Sequence, residues 1–247
     1  MSAKVSIAAM AMGLWLMVLL ISPSAMAVEL DFNLSAPTSG TVSYAGGGSD
    51  LIGSNIEVDN VVGLSTPANA NVTSLCISCV LNFNSGTLTG AGGSNPSNNG
   101  WWAFGPGGTI TISGGVQLQG ATDILPGSTL LSGTFNSAFV QDLGVQGFKV
   151  TFGSFSDTKH PDLLSYYGLT PGTPFQGALA LLFASTDTGV GNSFTSTSIF
   201  SGNVVNAVVV PLPAAALLFA SGLSGMAWLR SKGVYRLTLR ALWPREL

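Results

Sequence analysis

Thr109-Ile110-Thr111-Ile112-Ser113-Gly114-Gly115-Val116-Gln117-Leu118-Gln119 is the stretch that decides the fold class. Polar and β-branched residues alternate with a period of two, the spacing of a strand with one face buried. Gly114-Gly115 between the two alternating runs reads as a two-residue hairpin turn. Phe148-Lys149-Val150-Thr151-Phe152 repeats the pattern, with Phe148, Val150 and Phe152 on one face and Lys149 and Thr151 on the other.

Further strands are expected over Thr41 to Tyr44, Ile56 to Val62, Cys79 to Phe83, Thr129 to Phe135, Ala178 to Phe183 and Ser198 to Val205. Clusters of Gly, Asn, Pro and Ser separate them. No stretch from Val28 to Asn203 sustains helical apolar spacing, and one short turn between Ser156 and Gly168, capped by Ser156 or Asp157, is the only helix expected. Ala91 to Gly100 lacks large apolar residues and reads as a mobile surface loop. No fixed-period internal repeat is present. The expected class is all-β: an antiparallel β-sandwich or jelly-roll-like ectodomain over residues 28–207.

Working outward, both ends of the chain change character. Met1 to Ala27 carries Lys4, an apolar run from Ile7 to Ile21, a helix-breaking Pro23 and then Ala25-Met26-Ala27. This is the pattern of a secretory signal peptide over 1–27, with Ala25 and Ala27 as the small residues of a signal-peptidase site. An uncleaved N-terminal anchor is the alternative.

The 247 residues suit one large β domain, and 46% of them are hydrophobic against 8% charged. The net charge of −3 hides a segregation. Ten acidic and two basic residues lie between Val28 and Val209, whereas Arg230, Lys232, Arg236, Arg240 and Arg245 follow the C-terminal apolar run. An acidic middle excludes nucleic acid as a partner, because phosphate neutralisation needs basic groups on the folded domain.

Export places Cys76 and Cys79, a C-x-x-C flanked by strand-like residues, in an oxidising compartment, where a small structural disulfide is the first reading. Redox and metal roles are the alternatives. Zinc is disfavoured because a single histidine accompanies the two cysteines.

That histidine, His160, reads as a solvated residue before Pro161. With one imidazole and no G-x-S-x-G elbow there is no assignable catalytic triad, so no catalytic residue, enzyme activity or cofactor is expected. A secreted hydrolase is kept as the contrary hypothesis, for which a carboxylate-only mechanism would be needed.

Asp157, Asp162 and Asp187, or Asp50 with Glu57 and Asp59, offer oxygen ligands of the kind calcium takes. No D-x-D-x-D-G loop supports them, so they read as solubility features and no metal site is expected. Trp101-Trp102 after an Asn-rich stretch is the candidate carbohydrate contact, with Tyr166-Tyr167 as a second aromatic pair. Neighbouring strand residues face opposite ways, so at least one tryptophan is expected in the core.

After the ectodomain the chain runs Val208-Val209-Val210-Pro211-Leu212-Pro213-Ala214-Ala215-Ala216-Leu217-Leu218-Phe219-Ala220-Ser221-Gly222-Leu223-Ser224-Gly225-Met226-Ala227-Trp228-Leu229-Arg230-Ser231-Lys232. As a helix, Ala214 to Leu229 measures about 24 Å. Extension back to Val208 reaches spanning length, with Arg230 and Lys232 at the cytoplasmic end.

This segment, 208–232, resembles the PEP-CTERM sorting signal of Gram-negative bacteria in its Val-Pro-Leu-Pro-Ala-Ala variant. The matching residues are Val210, Pro211, Leu212, Pro213, Ala214, Ala215, Leu217 to Phe219, Ser221, Gly222, Gly225 and Arg230. The resemblance implies recognition by an exosortase, a multi-pass membrane enzyme, with cleavage near Pro211-Leu212-Pro213. It also implies release to the cell surface or an exopolysaccharide matrix.

The sequence departs from the usual signal in having Leu212 where glutamate is usual and in continuing to Leu247. That basic tail, 233–247, is either an amphipathic segment on the anionic inner leaflet or unstructured. An ordinary permanent anchor is the alternative for the whole C-terminus.

Overall fold

The computed structural model describes residues 27–93, 100–144, 147–185 and 189–209, and Gly222. Ala25 and the rest of the expected signal peptide before Ala27 lie outside the described residues. So do the sorting segment from Val210, Gly222 apart, and the basic tail. Among the described residues no helix is long and apolar enough to cross a membrane.

Eleven strands follow one another: β1 (Glu29–Thr38), β2 (Thr41–Tyr44), β3 (Asp50–Leu64), β4 (Thr73–Gly92), β5 (Trp101–Phe104), β6 (Gly108–Val116), β7 (Ile124–Phe135), β8 (Ala138–Gly144), β9 (Gly147–Lys159), β10 (Phe175–Ser185) and β11 (Phe194–Val208). One short helix, α1 (Pro161–Tyr166), lies between β9 and β10. The all-β class expected from the sequence is what the chain adopts: one large antiparallel sheet ordered β1-β3-β2-β11-β10-β9-β7-β6-β4-β5-β8.

The sheet has no free edge among these strands, because β1–β11, β3–β4 and β8–β9 also pair. The long strands change neighbours along their length. One circuit runs β1–β3–β4–β6–β7–β9–β10–β11 and returns to β1. A second runs β2–β3–β4–β5–β8–β9–β10–β11 and returns to β2. Closure removes the exposed strand edges that would otherwise recruit other chains.

Each circuit has eight strands, about the number whose interior side chains alone can fill. Alternation puts Phe32, Leu81, Ile110, Ile112, Val140, Val150, Leu181 and Phe183 inside, all buried. Aromatic rings interlock across them: Phe135 stacks on Phe152 at 4.1 Å, and Phe83 meets Phe152 edge-on at 4.7 Å.

Two local expectations are corrected. Gly114 and Gly115 do not turn the chain: both lie inside β6, where Gly114 pairs with Ser128 and Gly115 with Ile77. A Cβ on Gly114 would sit 2.7 Å from Cys79 Sγ, so glycine there answers a close approach by a neighbouring strand. The turn comes later, where Asp123 Oδ1 accepts from Leu118 N at 2.9 Å, and Gln117 to Gln119 are not strand. At α1 the cap is His160, whose ring accepts from Asp162 N, because Ser156 and Asp157 still belong to β9.

Candidate functional site: an outward aromatic face beside a dithiol

Trp101 and Trp102 open β5, and alternation separates them as a strand must. Trp102 is core, meeting Phe194 edge-on at 5.5 Å and Phe148 at 5.9 Å. Its place in a carbohydrate contact is thereby corrected. Trp101 is on the other face and half-buried, stacked on Phe139 with ring centroids 6.0 Å apart and planes 18° from parallel.

Two features flatten this face. The indole of Trp101 lies across β4 at Gly90 and Gly92, and a Cβ on Gly92 would come within 2.8 Å of the ring. Phe139, 39% exposed, is brought alongside by the register Ala103↔Phe139 and Trp101↔Gln141. On β9 the next partners are Thr151 opposite Phe139 and Lys149 opposite Gln141. A half-buried indole stacked on an exposed phenyl ring is therefore followed, strand by strand, by an amide and an ammonium. Lys149 is the one exposed lysine among the described residues, since Lys159 is buried.

Sequence reasoning named Trp101 and missed Phe139, Gln141 and Lys149. The β5–β8 and β8–β9 pairings that assemble them leave no local trace. The exposed, alternating Phe139 and Gln141 in Ala138-Phe139-Val140-Gln141 were the only signal.

A second outward face, across β4, β6, β7 and β9, is polar. Asn84, Thr109, Thr134 and Ser156 face one another across β4, β6, β7 and β9, as do Asn82, Thr111, Ser132 and Thr158. A shallow groove of about 490 Å³ follows the hydroxyls of this second surface.

Tyr166 and Tyr167, the second aromatic pair, are both buried and present no open ring face for stacking. The Tyr167 hydroxyl donates to Val61 O at 3.1 Å or Val72 O at 3.2 Å and reaches Ser74 Oγ at 3.4 Å, so it ties α1 to β3 and β4. Burial is the chief reason its pKa is pushed above the usual tyrosine range.

The acidic residues are dispersed. Asp59 accepts from Ser35 N at 2.6 Å and Glu57 from Ser39 Oγ at 3.2 Å. Asp157 is buried in an ion pair with Lys159, while Asp162 lies 3.9 Å from His160 Nδ1. No three His, Cys, Asp or Glu side chains among the described residues could hold one metal ion, and Asp187 lies outside those residues.

Cys76 and Cys79 stand as free thiols where a disulfide was the first expectation. Cys79 Sγ donates to Gly115 O at 3.1 Å. The hydrogen bond between the two thiols, donated by Cys76, is the largest influence on both: it holds Cys79 below and Cys76 above the ordinary thiol range. Burial raises each of them.

Compared with known proteins, the chain matches no family model, no curated protein and no solved structure.

Proposed function

We propose that this protein is an exported, non-enzymatic component of the bacterial cell surface or extracellular matrix, with a structural or adhesive role. In this reading a signal peptidase cuts after Ala27, the C-terminal helix holds the protein transiently in the membrane, and an exosortase cuts near Pro211-Leu212-Pro213. The released ectodomain then stays with exopolysaccharide.

The observation that carries the reading is where the last described strand ends. β11 ends at Val208 and the compact unit at Val209, immediately before the Val210-to-Ala215 motif. Cleavage at Pro211 to Pro213 would leave every described strand intact. The closed, side-chain-filled interior also directs function to the outside of the domain, as a surface or matrix role requires.

A second reading, a carbohydrate-binding surface module, is favoured by the Trp101–Phe139 pair with Gln141 and Lys149 beside it. Sugar rings stack on aromatic faces and their hydroxyls bond to amide and ammonium groups.

The test is deletion of residues 210–247 in a host that has an exosortase. The full chain is expected in the cell-surface or matrix fraction, and the truncated chain free in the culture medium or periplasm. Identical fractionation of the two would remove the sorting role from the segment.

A further inference from the structure

In a regular strand, residues three apart face opposite sides of the sheet. Cys76 and Cys79 escape that rule because β4 carries an extra residue between them. Ser78 is in the left-handed region at φ 51°, and the register on β6 slips between Ile77↔Gly115 and Val80↔Ser113. Such a bulge re-aims the side chains around it. Cys79 is consequently in the core at 2% exposure, and Cys76, half-buried, packs against the same core with its thiol hydrogen-bonded to that of Cys79. Gly114 leaves room for the Cys79 sulfur and Gly115 supplies its acceptor.

We propose that this bulge is an oxidisable dithiol site whose co-reactant is an external disulfide, entering at the half-buried Cys76 and resolved by the buried Cys79. The Cys76 thiol gives its proton to solvent, and the thiolate attacks one sulfur of R–S–S–R. A Cys76–S–S–R bond forms, and the expelled R–S⁻ takes up a proton. Cys79, as thiolate, then attacks the Cys76 sulfur, and the second R–S⁻ leaves and is protonated. Two protein thiols are oxidised by two electrons and one external disulfide is reduced to two thiols. Access rather than acidity sets the order of attack: Cys79 is 2% exposed, and Cys76 is the sulfur an external disulfide can reach. The product joins two points of one strand across Ser78 and fixes the bulge. This inference is independent of the sorting role.

The test uses the full chain in detergent, reduced and then exposed to glutathione disulfide without denaturant, with intact mass and maleimide-accessible thiols as readouts. Wild type is expected to lose both thiols and the mass of two hydrogens while keeping no glutathione. Cys79→Ser is expected to stop as a stable single glutathione adduct. Cys76→Ser is expected to stay unmodified until unfolded. Wild type that keeps both thiols, or that retains glutathione, overturns the proposal. So does Cys76→Ser reacting as fast as Cys79→Ser.

Discussion

Replacing Lys159 with methionine should strip a buried carboxylate of its only counter-charge. Lys159 and Asp157 both point inward from β9, with Nζ 2.5 Å from Oδ1 and both side chains wholly out of solvent. Nζ also lies 4.2 Å from the centre of the Phe175 ring, while Asp157 Oδ2 has no hydrogen-bond partner. Burial outweighs the attraction on both sides: Lys159 is lowered from 10.5 to about 8, and Asp157 is raised above its ordinary value.

A lysine held there costs the folded state about 3 kcal/mol at neutral pH, so the pair is no net source of stability. Breaking it is nevertheless expensive. Lys159→Met should lose about 3–5 kcal/mol, because the carboxylate stays buried alone. The melting temperature should fall by roughly 10 °C. The double variant Asp157→Val, Lys159→Met removes both charges and should recover most of that loss or exceed wild type.

The pH dependence has a definite sign. A raised carboxylate contributes stability that is present below 3.8 and lost as pH rises through its folded value, so the Lys159→Met deficit should shrink on acidification. Urea unfolding followed by circular dichroism reads all of this. A Lys159→Met variant within about 1 kcal/mol of wild type, or a double variant worse than the single one, would show that the buried carboxylate does not depend on Lys159.

Other outcomes follow from the same geometry. Trp102→Ala should cost about 3–5 kcal/mol in urea unfolding, whereas Trp101→Ala should leave stability within about 1 kcal/mol and abolish any fluorescence response to polysaccharide. Tyr167→Phe leaves Val61 O, Val72 O and Ser74 with one donor fewer and should lower stability by about 1–2 kcal/mol. In wild type, the depressed Lys159 contributes stability that is present above 10.5 and lost as pH falls through about 8, so urea midpoints should rise between pH 8 and 10. Gly114→Ala should destabilise by about 1–3 kcal/mol in urea unfolding, through its φ of 154° and a Cβ 2.5 Å from Cys79 Cα, and replacing Cys79 with Ala as well should not restore the loss, because that backbone contact remains.

Where side-chain alternation is local, the sequence was legible. Thr41 to Tyr44 is β2 as expected, and Phe148, Val150 and Phe152 are buried while Lys149 is exposed. Strand lengths were underestimated where bulges interrupt the period: Cys79 to Phe83 is only the centre of β4, and Ile56 to Val62 only the later half of β3. At those bulges the register shifts, as between Gly53 and Ile56, and alternation read along one strand stops describing a face. Ala91 and Gly92, expected in a loop, belong to β4, and 94–99 lie outside the described residues.

Gly114-Gly115 misled because glycine serves both turns and close approaches, and only the position of Cys79 distinguishes them. The candidate site was half visible. A tryptophan pair announces that one ring faces out, but Phe139, Gln141 and Lys149 join it through pairings between separate strands.

In the proposed function a closed β domain is exported and freed by cutting next to its last described strand. The most direct test is the intact mass of the extracellular protein from hosts with and without an exosortase. A species beginning at Val28 and ending near Pro211 to Pro213 is expected in the first host alone. An uncut, membrane-bound chain in both hosts would contradict it.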